Sequence, residues 1–498
     1  MFSNEFFLFF AVATSIISWI QPVHGQTISG IFSSSDQSQL LQAITNAPSF
    51  ASGSGSADIV IDETTVYQQM VGFGSSMTDS AAQAMHNLKN ANSDMYNKLL
   101  KNTFTTQGAA LNYLRVPIGA SDFSYSSYSL DDVDGDTSFN SFNISSAPSY
   151  LFSTLADIYA VNPNVKIHIL PWSPPAWMKD SNTMNGGSLK SGMESSYPTY
   201  LLKAVQGFKA KNLPVVAVSI QNEPQNSDTT YPSCKIDDST QATIAKSLRS
   251  LLSSNDLSDI KIIGYEHNWD GTSSYTIPMV NDAPKAFEGA AFHCYGGEVS
   301  ETEAFISKFP NIPMYLTECA GTTGSNWWND VQWYVNNLWS PNVSSMTTTA
   351  STGLMWIIAS ADNGKSPYPG SDSCADGGCR GVATVTTSKV TFNQEYYSMA
   401  HYARAFTSND GSTLGKKIKA SGGYNTGDDK KNNFNVVAYA TGDRYSLVVL
   451  NNGGSTQKSI SFQGKQAKYT FPTGLTTLWW TGSNTSTKRM IRKRRISK

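Results

Sequence analysis

The chain has 498 residues, of which 40% are apolar and 15% charged, enough for one large domain and a smaller one with ordinary hydrophobic cores. Its formal net charge is −2, and no segment after residue 25 approaches 18 uninterrupted apolar residues. These features argue against a nucleic-acid partner and against stable membrane insertion of the mature chain.

The first 25 residues predict a secretory signal peptide. The apolar run FFLFFAVATSII is followed by PVHG and then by a polar stretch, although the leader carries Glu5 and no Lys or Arg. A retained membrane anchor is the alternative. Three acceptor sequons, at Asn143, Asn342 and Asn484, are typical of a secreted glycoprotein. The predicted location is extracellular, at the cell wall.

Residues 68–405 predict a (β/α)8 barrel. Eight short apolar runs follow one another: QMVGFG, LNYLRVPIG, VKIHILPWS, VVAVSIQNE, IKIIGYEH, GAAFHCYG, PMYLTE and GLMWIIAS. Helical patterns lie between most of them, and strands that are apolar on both faces indicate parallel βα units. Eight such strands suit a closed barrel, with a doubly wound open sheet as the alternative.

The two chain ends predict an antiparallel β-sandwich beside the barrel. Residues 406–485 contain strand-like pieces separated by turn residues such as NNGG and TGD, without helical patterns between them. The N-terminal segment 26–67 contains ADIVID, an alternating pattern that can add a strand. Residues 486–498 predict a basic, solvated tail that can contact an anionic wall or membrane.

Two of the predicted barrel strands end on a carboxylate. The fourth leads into Glu223 and the seventh ends on Glu318. Barrel strands present their C-terminal residues in the active-site opening, so these side chains can face each other although they are 95 residues apart. Paired carboxylates suit glycoside hydrolysis. The alternative is that either Glu merely caps a helix.

Aromatic side chains stand near other strand ends. Trp172 and Trp177 follow strand 3, His293 and Tyr295 close strand 6, and Trp356 lies in strand 8. Such rings can stack on sugars or belong to the core, and several together favour a carbohydrate cleft. His293 can bind either carboxylate or serve as a packing residue.

Six motifs resemble those of glycoside hydrolase family 30, the glucosylceramidase and β-1,6-glucanase group. They are GFGSSMTDSAA, LNYLRVPIGASDFS, ILPWSPPAWMK, VSIQNEP, FHCYGG and YLTECAG, in the family's order within residues 58–482. The resemblance implies a (β/α)8 barrel with a side β-sandwich made from both chain ends. It also implies hydrolysis with retention of anomeric configuration, Glu223 being the general acid/base and Glu318 the nucleophile.

The resemblance implies further substrate contacts around this pair. Asp79 and Trp172 look like residues that hold hydroxyls of the nonreducing-end sugar, and Asn222 like the partner of the 2-hydroxyl. Arg115 should lie beneath the nucleophile, and Tyr295 should lie near it.

Trp356 resembles the aromatic wall of the site. This chain has Ile-Ile-Ala after Trp356 where relatives often place Asn, which leaves the polar contacts on that side undefined.

The proposed chemistry predicts two unlike carboxyl groups. Glu223 must carry a proton to donate, so its pKa should be raised by apolar surroundings or by the neighbouring charge. Glu318 should stay ionised beside Arg115. No cofactor or metal is expected, since HExxH and paired CxxC motifs are missing and DDVDGD lacks calcium-loop spacing.

Cysteine spacing suggests one disulfide. Cys374 and Cys379 bracket a glycine-containing loop and can pair, whereas Cys234, Cys294 and Cys319 have no evident partner in the sequence.

The sequence therefore predicts a secreted retaining β-glycosidase acting on β-linked glucose. A β-1,6-glucan is the favoured substrate and glucosylceramide the alternative, while a catalytically inactive sugar-binding wall protein is the alternative outside enzymes.

Overall fold

The computed structural model describes residues 26–341, 350–361, 363–424 and 433–482. The predicted signal peptide (1–25), the basic tail (486–498) and the sequons at Asn342 and Asn484 lie outside these ranges. The third sequon, Asn143, is exposed. Within the described ranges, no helix combines the length and apolar character that crossing a bilayer requires.

Eight parallel strands form a closed barrel, which confirms the predicted fold. Barrel strands 1 to 8 are, in chain order, Gly72–Ser76, Tyr113–Pro117, Lys166–Leu170, Val215–Ser219, Lys261–Asn268, Gly289–His293, Met314–Glu318 and Thr352–Ile357. Strand 8 pairs in parallel with strand 1 and closes the ring. Most strand residues are buried on both faces, which accounts for the nearly continuous apolar runs in the sequence.

Amphipathic helices surround the barrel. The α-helices of the described residues are Asp79–Ala91, Ser93–Phe104, Ser149–Val161, Tyr197–Ala210, Asp238–Ser254, Ile277–Asp282, Glu303–Lys308, Trp327–Tyr334 and Gln394–Phe406. Helix Tyr197–Ala210 buries Tyr200, Ala204 and Phe208, four residues apart on one face. Helix Asp238–Ser254 begins after Asp237, whose side chain accepts the backbone N–H of Thr240.

Both ends of the described chain contribute to a second, largely antiparallel sheet. Its strands lie in the spatial order Gln26–Thr27, Ser49–Ser52, Lys465–Phe471, Thr456–Phe462, Ile59–Gln69, Lys416–Ser421, Phe434–Thr441, Arg444–Asn451, Gly474–Thr481, Ser29–Ser34 and Gln42–Ala43. One pair, Ile59–Gln69 with Thr456–Phe462, is parallel.

This sheet folds onto itself and encloses its own core. Phe50 and Trp480 come from strands far apart in the sheet order, yet their ring centroids are 5.1 Å apart. Around them lies an apolar cluster that includes Phe462 and Leu478 and is distinct from the barrel core. The predicted sandwich is therefore one continuous sheet bent into two layers.

Helix Gln394–Phe406 joins the barrel to the sheet. The ring of His401 contacts the hydroxyls of Thr477 at 2.8 Å and Ser33 at 3.0 Å, both in the sheet. The ring of Phe406 packs edge-on against Phe73 of barrel strand 1, with centroids 5.1 Å apart. The helix therefore connects barrel strand 1 with the sheet, and its buried apolar residues belong to the barrel core.

A buried ion pair anchors the start of this helix. Arg380 donates from Nη2 to Glu395 Oε1 at 2.7 Å and to Asp330 Oδ2 at 2.6 Å, and Glu395 is fully buried. Arg380 also donates to the carbonyl of Thr322, in the segment after barrel strand 7. Removing one partner of such a buried pair costs about 3 kcal/mol or more of unfolding free energy.

Candidate active site

Glu223 and Glu318 meet at the opening where the barrel strands end. Glu318 is the last residue of strand 7, and Glu223 lies in the loop just after strand 4. One carboxylate oxygen from each, together with one ring nitrogen of His293, lie within 4.8 Å of one another. The two groups are thus close enough to flank one glycosidic bond, near the separation of about 5 Å found in retaining glycosidases.

Glu318 is held by two donors, one from strand 2 and one from the loop after strand 6. Arg115 on strand 2 donates from Nη1 to Oε2 at 2.6 Å, and the Tyr295 hydroxyl donates to Oε1 at 3.0 Å. Burial raises the pKa of Glu318, while the charges of His293 and Arg115 act against that rise. Arg115 is itself fully buried.

Glu223 is held by its backbone as well as its side chain. Its N–H donates to the carbonyl of Glu266 at 2.9 Å, and its φ of 45° lies in the left-handed region. Its carboxylate contacts His293 Nδ1 at 3.1 Å and accepts from Asn226 at 3.1 Å. Burial opposes ionisation, but His293 and the other donors outweigh it and lower the pKa of Glu223 to about 2.

The pKa expectation for this pair is wrong for the resting enzyme. Burial raises the pKa of Glu318, whereas the hydrogen bond from His293 outweighs burial at Glu223 and lowers its pKa. Burial lowers the pKa of His293, but the charge of Glu318 and hydrogen bonds to Glu223 and Glu266 raise it to about 9. At neutral pH the proton expected on Glu223 therefore lies on His293.

Glu266 is a site residue that the sequence reasoning missed. It lies in strand 5, is fully buried, and contacts Arg115 Nη2 at 3.1 Å and His293 Nε2 at 3.3 Å. A signal existed, because the run IKIIGYEH carries a Glu near its end, as VVAVSIQNE and PMYLTE do. Three strands, not two, therefore bring carboxylates to the barrel opening.

Asp122 was missed as well. It lies in the loop after strand 2 and is 5% exposed. Its Oδ2 accepts from the hydroxyl of Ser373 at 2.5 Å, while Oδ1 has no hydrogen-bond partner among the described residues. Burial, with the charges of Glu318 and Glu223, raises the pKa of Asp122 to about 8. A buried oxygen without a partner beside the carboxylate pair is suited to a ligand hydroxyl.

Asn222 and two tryptophans complete the surroundings of Arg115. Asn222 accepts from Arg115 through its side-chain oxygen. The guanidinium carbon of Arg115 lies 4.7 Å from the ring of Trp172, whose centroid is 5.2 Å from that of Trp356. Both rings are at most 3% exposed, so they form a wall of the site rather than an open stacking platform.

Asp79 is placed differently from the other predicted contacts. It begins helix Asp79–Ala91, and its carboxylate accepts from the hydroxyls of Ser124 at 2.6 Å and Tyr128 at 3.0 Å. Burial raises its pKa to about 6, against the effect of these two donors. Its described hydrogen bonds are therefore with loop hydroxyls and not with the carboxylate pair.

Two disulfides lie near the site. The predicted pair Cys374–Cys379 is formed, and the residue just before it, Ser373, donates to Asp122. Cys294–Cys319 was not predicted. These cysteines follow His293 and Glu318, which pair across strands 6 and 7, so the barrel register makes them neighbours.

The remaining cysteine, Cys234, is a buried free thiol.

Comparison with known proteins identifies the family. A family model described as the glycosyl hydrolase family 30 TIM-barrel domain matches residues 70–352. An endo-1,6-β-D-glucanase of Aspergillus fumigatus is 30% identical over 372 residues, which cover 70% of this chain and 72% of that protein. An endo-1,6-β-D-glucanase of Neurospora crassa is 28% identical over 429 residues, covering 82% and 84%.

Other similarities extend the comparison. A putative glucosylceramidase of Caenorhabditis elegans is 26% identical over 286 residues, which cover 54% of each chain. The fold is similar to a solved endo-β1,6-glucanase with a TM-score of 0.79 and 24% identity, over 92% of this chain and all of that one. The protein is a glycoside hydrolase and belongs to glycosyl hydrolase family 30.

Proposed function

We propose that this protein hydrolyses β-1,6-linked glucan with retention of anomeric configuration, Glu318 acting as nucleophile and Glu223 as general acid/base. The observation that carries this proposal is the convergence of these two carboxylates within 4.8 Å at the ends of barrel strands 4 and 7. A direct attack on the anomeric carbon needs this spacing, since the inverting route needs room for a water between the carboxyls.

The surroundings of each carboxylate suit its role. Glu318 is bound by the Arg115 cation and the Tyr295 hydroxyl, which favour the ionised form that attacks carbon. Glu223 shares a proton with His293, so the pair can supply a proton to the leaving oxygen and later accept one from water. These contacts favour the anionic form of Glu318 and couple Glu223 to the proton of His293.

The reaction follows in two displacements. In the first, a Glu318 oxygen bonds to the anomeric carbon while the glycosidic C–O bond breaks, and the leaving oxygen takes a proton from Glu223. In the second, water gives a proton to Glu223 and its oxygen bonds to the same carbon, while the bond to Glu318 breaks. Two inversions restore the starting configuration.

The glucan assignment rests on the relatives and on polar groups beside the pair. The relatives named endo-1,6-β-D-glucanase align over 70% and 82% of this chain, whereas the putative glucosylceramidase aligns over 54%. Asp122 Oδ1 and the Asn222 side chain offer polar contacts for sugar hydroxyls, and Trp172 and Trp356 line one wall. Asp79 remains a predicted contact for hydroxyls of the nonreducing-end sugar.

Secretion to the cell wall is part of the proposal. The apolar run within residues 1–25 supports a cleaved leader. Two disulfides suit an oxidising compartment, and the Asn143 sequon is exposed for glycosylation.

The protein recovered from the medium of a eukaryotic expression host should begin at Gln26. Full-length protein that stays bound to membranes would contradict the proposed cleavage.

Substitution of the nucleophile tests the proposed activity. Wild-type protein should release reducing ends from linear β-1,6-glucan, and Glu318→Gln should lower the rate about 1,000-fold or more, because the amide cannot form the covalent intermediate. Asp134→Asn, at an exposed position, should match wild type. Glucosylceramide assayed in parallel should be cleaved far more slowly. Equal rates for wild type and Glu318→Gln would remove the catalytic assignment, and faster cleavage of glucosylceramide would change the substrate.

The pH dependence of kcat/KM should be bell-shaped with an alkaline limb near pH 9. Activity should fall as pH drops through the pKa of Glu318, which is raised above 4.5, because the protonated carboxyl cannot attack. Activity should also fall as pH rises through about 9, where His293 loses the proton that it shares with Glu223. An alkaline limb near 6.5, the ordinary pKa of His, would contradict the proposal that His293 holds a proton for Glu223.

A further inference from the structure

The third carboxylate of the site, Glu266, has a place that the two-carboxylate reaction leaves unused. It is fully buried, so its charge must be balanced inside the protein. Its Oε2 accepts from the Thr317 hydroxyl at 2.7 Å and contacts Arg115 and His293, while Oε1 accepts from the Ser219 hydroxyl at 2.7 Å. These partners come from four other barrel strands, so Glu266 connects side chains of five strands through its hydrogen bonds.

Glu266 is connected to each candidate catalytic group through one intermediate residue. His293 lies between Glu266 and Glu223, with Nε2 3.3 Å from the former and Nδ1 3.1 Å from the latter. Arg115 lies between Glu266 and Glu318, at 3.1 Å and 2.6 Å. One carboxylate therefore orients the partner of the acid and the partner of the nucleophile.

The backbone around Glu266 is strained in the same place. Tyr265 and Glu266 have φ values of 74° and 67°, in the left-handed region that is costly for such side chains. The register of strand 5 against strand 6 shifts there, between Tyr265 and His267. The irregularity turns the Glu266 carbonyl toward Glu223, whose N–H it accepts at 2.9 Å. Such strain persists where surrounding contacts over-determine it, often at functional sites.

We propose that Glu266 is a positioning residue of the hydrolysis, which holds the Nε2–H of His293 so that Nδ1 exchanges its proton with Glu223. This inference rests on the proposed function and deepens it. A buried carboxylate that fixes the tautomer of a histidine general base is the arrangement of the serine-protease triad. Here the histidine serves a carboxyl group instead of a hydroxyl.

The proton balance of the step is simple. In the resting site His293 is a cation that donates Nδ1–H to Glu223 and Nε2–H to Glu266. When the Nδ1 proton moves to Glu223, His293 becomes neutral and keeps its Nε2–H on Glu266. Glu223 then gives its proton to the leaving oxygen and recovers one from water, so no co-reactant is required.

Three of the four charges that face His293 favour its protonated resting form, and the charge of Arg115 opposes it. The four charges belong to Glu223, Glu266, Glu318 and Arg115, with the ring of His267 6.4 Å away between centroids. Burial lowers the pKa of His267, so that ring is neutral at pH 7. Burial also opposes ionisation of Glu266, but Arg115 and His293 overcome it and hold its pKa well below the usual value. Glu266 is therefore one of three anions, with Glu318 and Glu223, that keep His293 charged.

Glu266→Gln is the variant that tests this role. The amide oxygen can replace Oε2, and the amide N–H can face Ser219, whose hydroxyl can then turn to His168, 2.7 Å away. The variant removes a charge without removing volume. The kcat/KM for β-1,6-glucan should fall at least about tenfold, since alkoxide leaving groups need a proton. Hydrolysis of 2,4-dinitrophenyl β-glucoside, whose leaving group needs none, should change less than about threefold.

The alkaline limb gives a second readout that a purely structural role would not move. Loss of an anion near His293 should shift that limb, and the imidazole titration followed by nitrogen-15 NMR, about one unit or more to lower pH. Glu395→Gln is the matched control, because it neutralises an equally buried carboxylate outside the site. It should lower the melting temperature without moving the alkaline limb.

Several results would overturn the inference. An unshifted alkaline limb of the pH profile in Glu266→Gln would show that Glu266 does not act through the general acid Glu223. Equal losses of kcat/KM on the glucan and the dinitrophenyl glucoside would show the same. If the wild type leaves glucan intact, the proposed function fails first. The NMR titration of His293 in wild type and Glu266→Gln then still decides whether Glu266 controls this proton.

Discussion

A buried arginine sets the constraints on this active site. Arg115 has no exposed surface, and its guanidinium contacts Glu318, Glu266 and Asn222 while lying on the ring of Trp172. An unpaired cation in the barrel interior would cost far more than a hydrogen bond, so carboxylates must approach it. Two cations, Arg115 and His293, stand against three carboxylates, and the Nδ1 position of His293 lies within proton-sharing distance of Glu223. The chemistry of the site follows from that shared proton.

The barrel supplies the geometry for this cluster. Parallel strands end at one opening, so side chains far apart in sequence converge there without a special connection. The disulfide between Cys294 and Cys319 joins the two strands whose ends carry His293 and Glu318. Glu223 and Glu266 both have positive φ, and the register of strand 5 against strand 6 shifts beside Glu266. Rigidity and local strain are thus combined around the reacting groups.

Periodicity and strand-end positions were sufficient to predict the barrel, the two carboxylates at the barrel opening and the side sheet. They could not reveal how protons are distributed, because the pKa of Glu223 depends on a histidine 70 residues away along the chain. Glu266 was overlooked because its strand continues past it to Asn268, so the Glu does not end the apolar run. The Cys294–Cys319 pair depends on strand register, which spacing alone does not give. Asp79 was assigned by resemblance, and its hydroxyl partners in the strand 2 loop could not be seen in the sequence.

The central claim is that Glu318 attacks the anomeric carbon directly, while Glu223 acts as the general acid and base. Incubation with a 2-deoxy-2-fluoro-β-glucosyl fluoride, which slows release of the intermediate, followed by peptide mass spectrometry, tests this most directly. The account predicts a single fluoroglucosyl group attached to the peptide that contains Glu318, with loss of activity in step with labelling. Labelling at another residue, or turnover with inverted product and no covalent adduct, would contradict it.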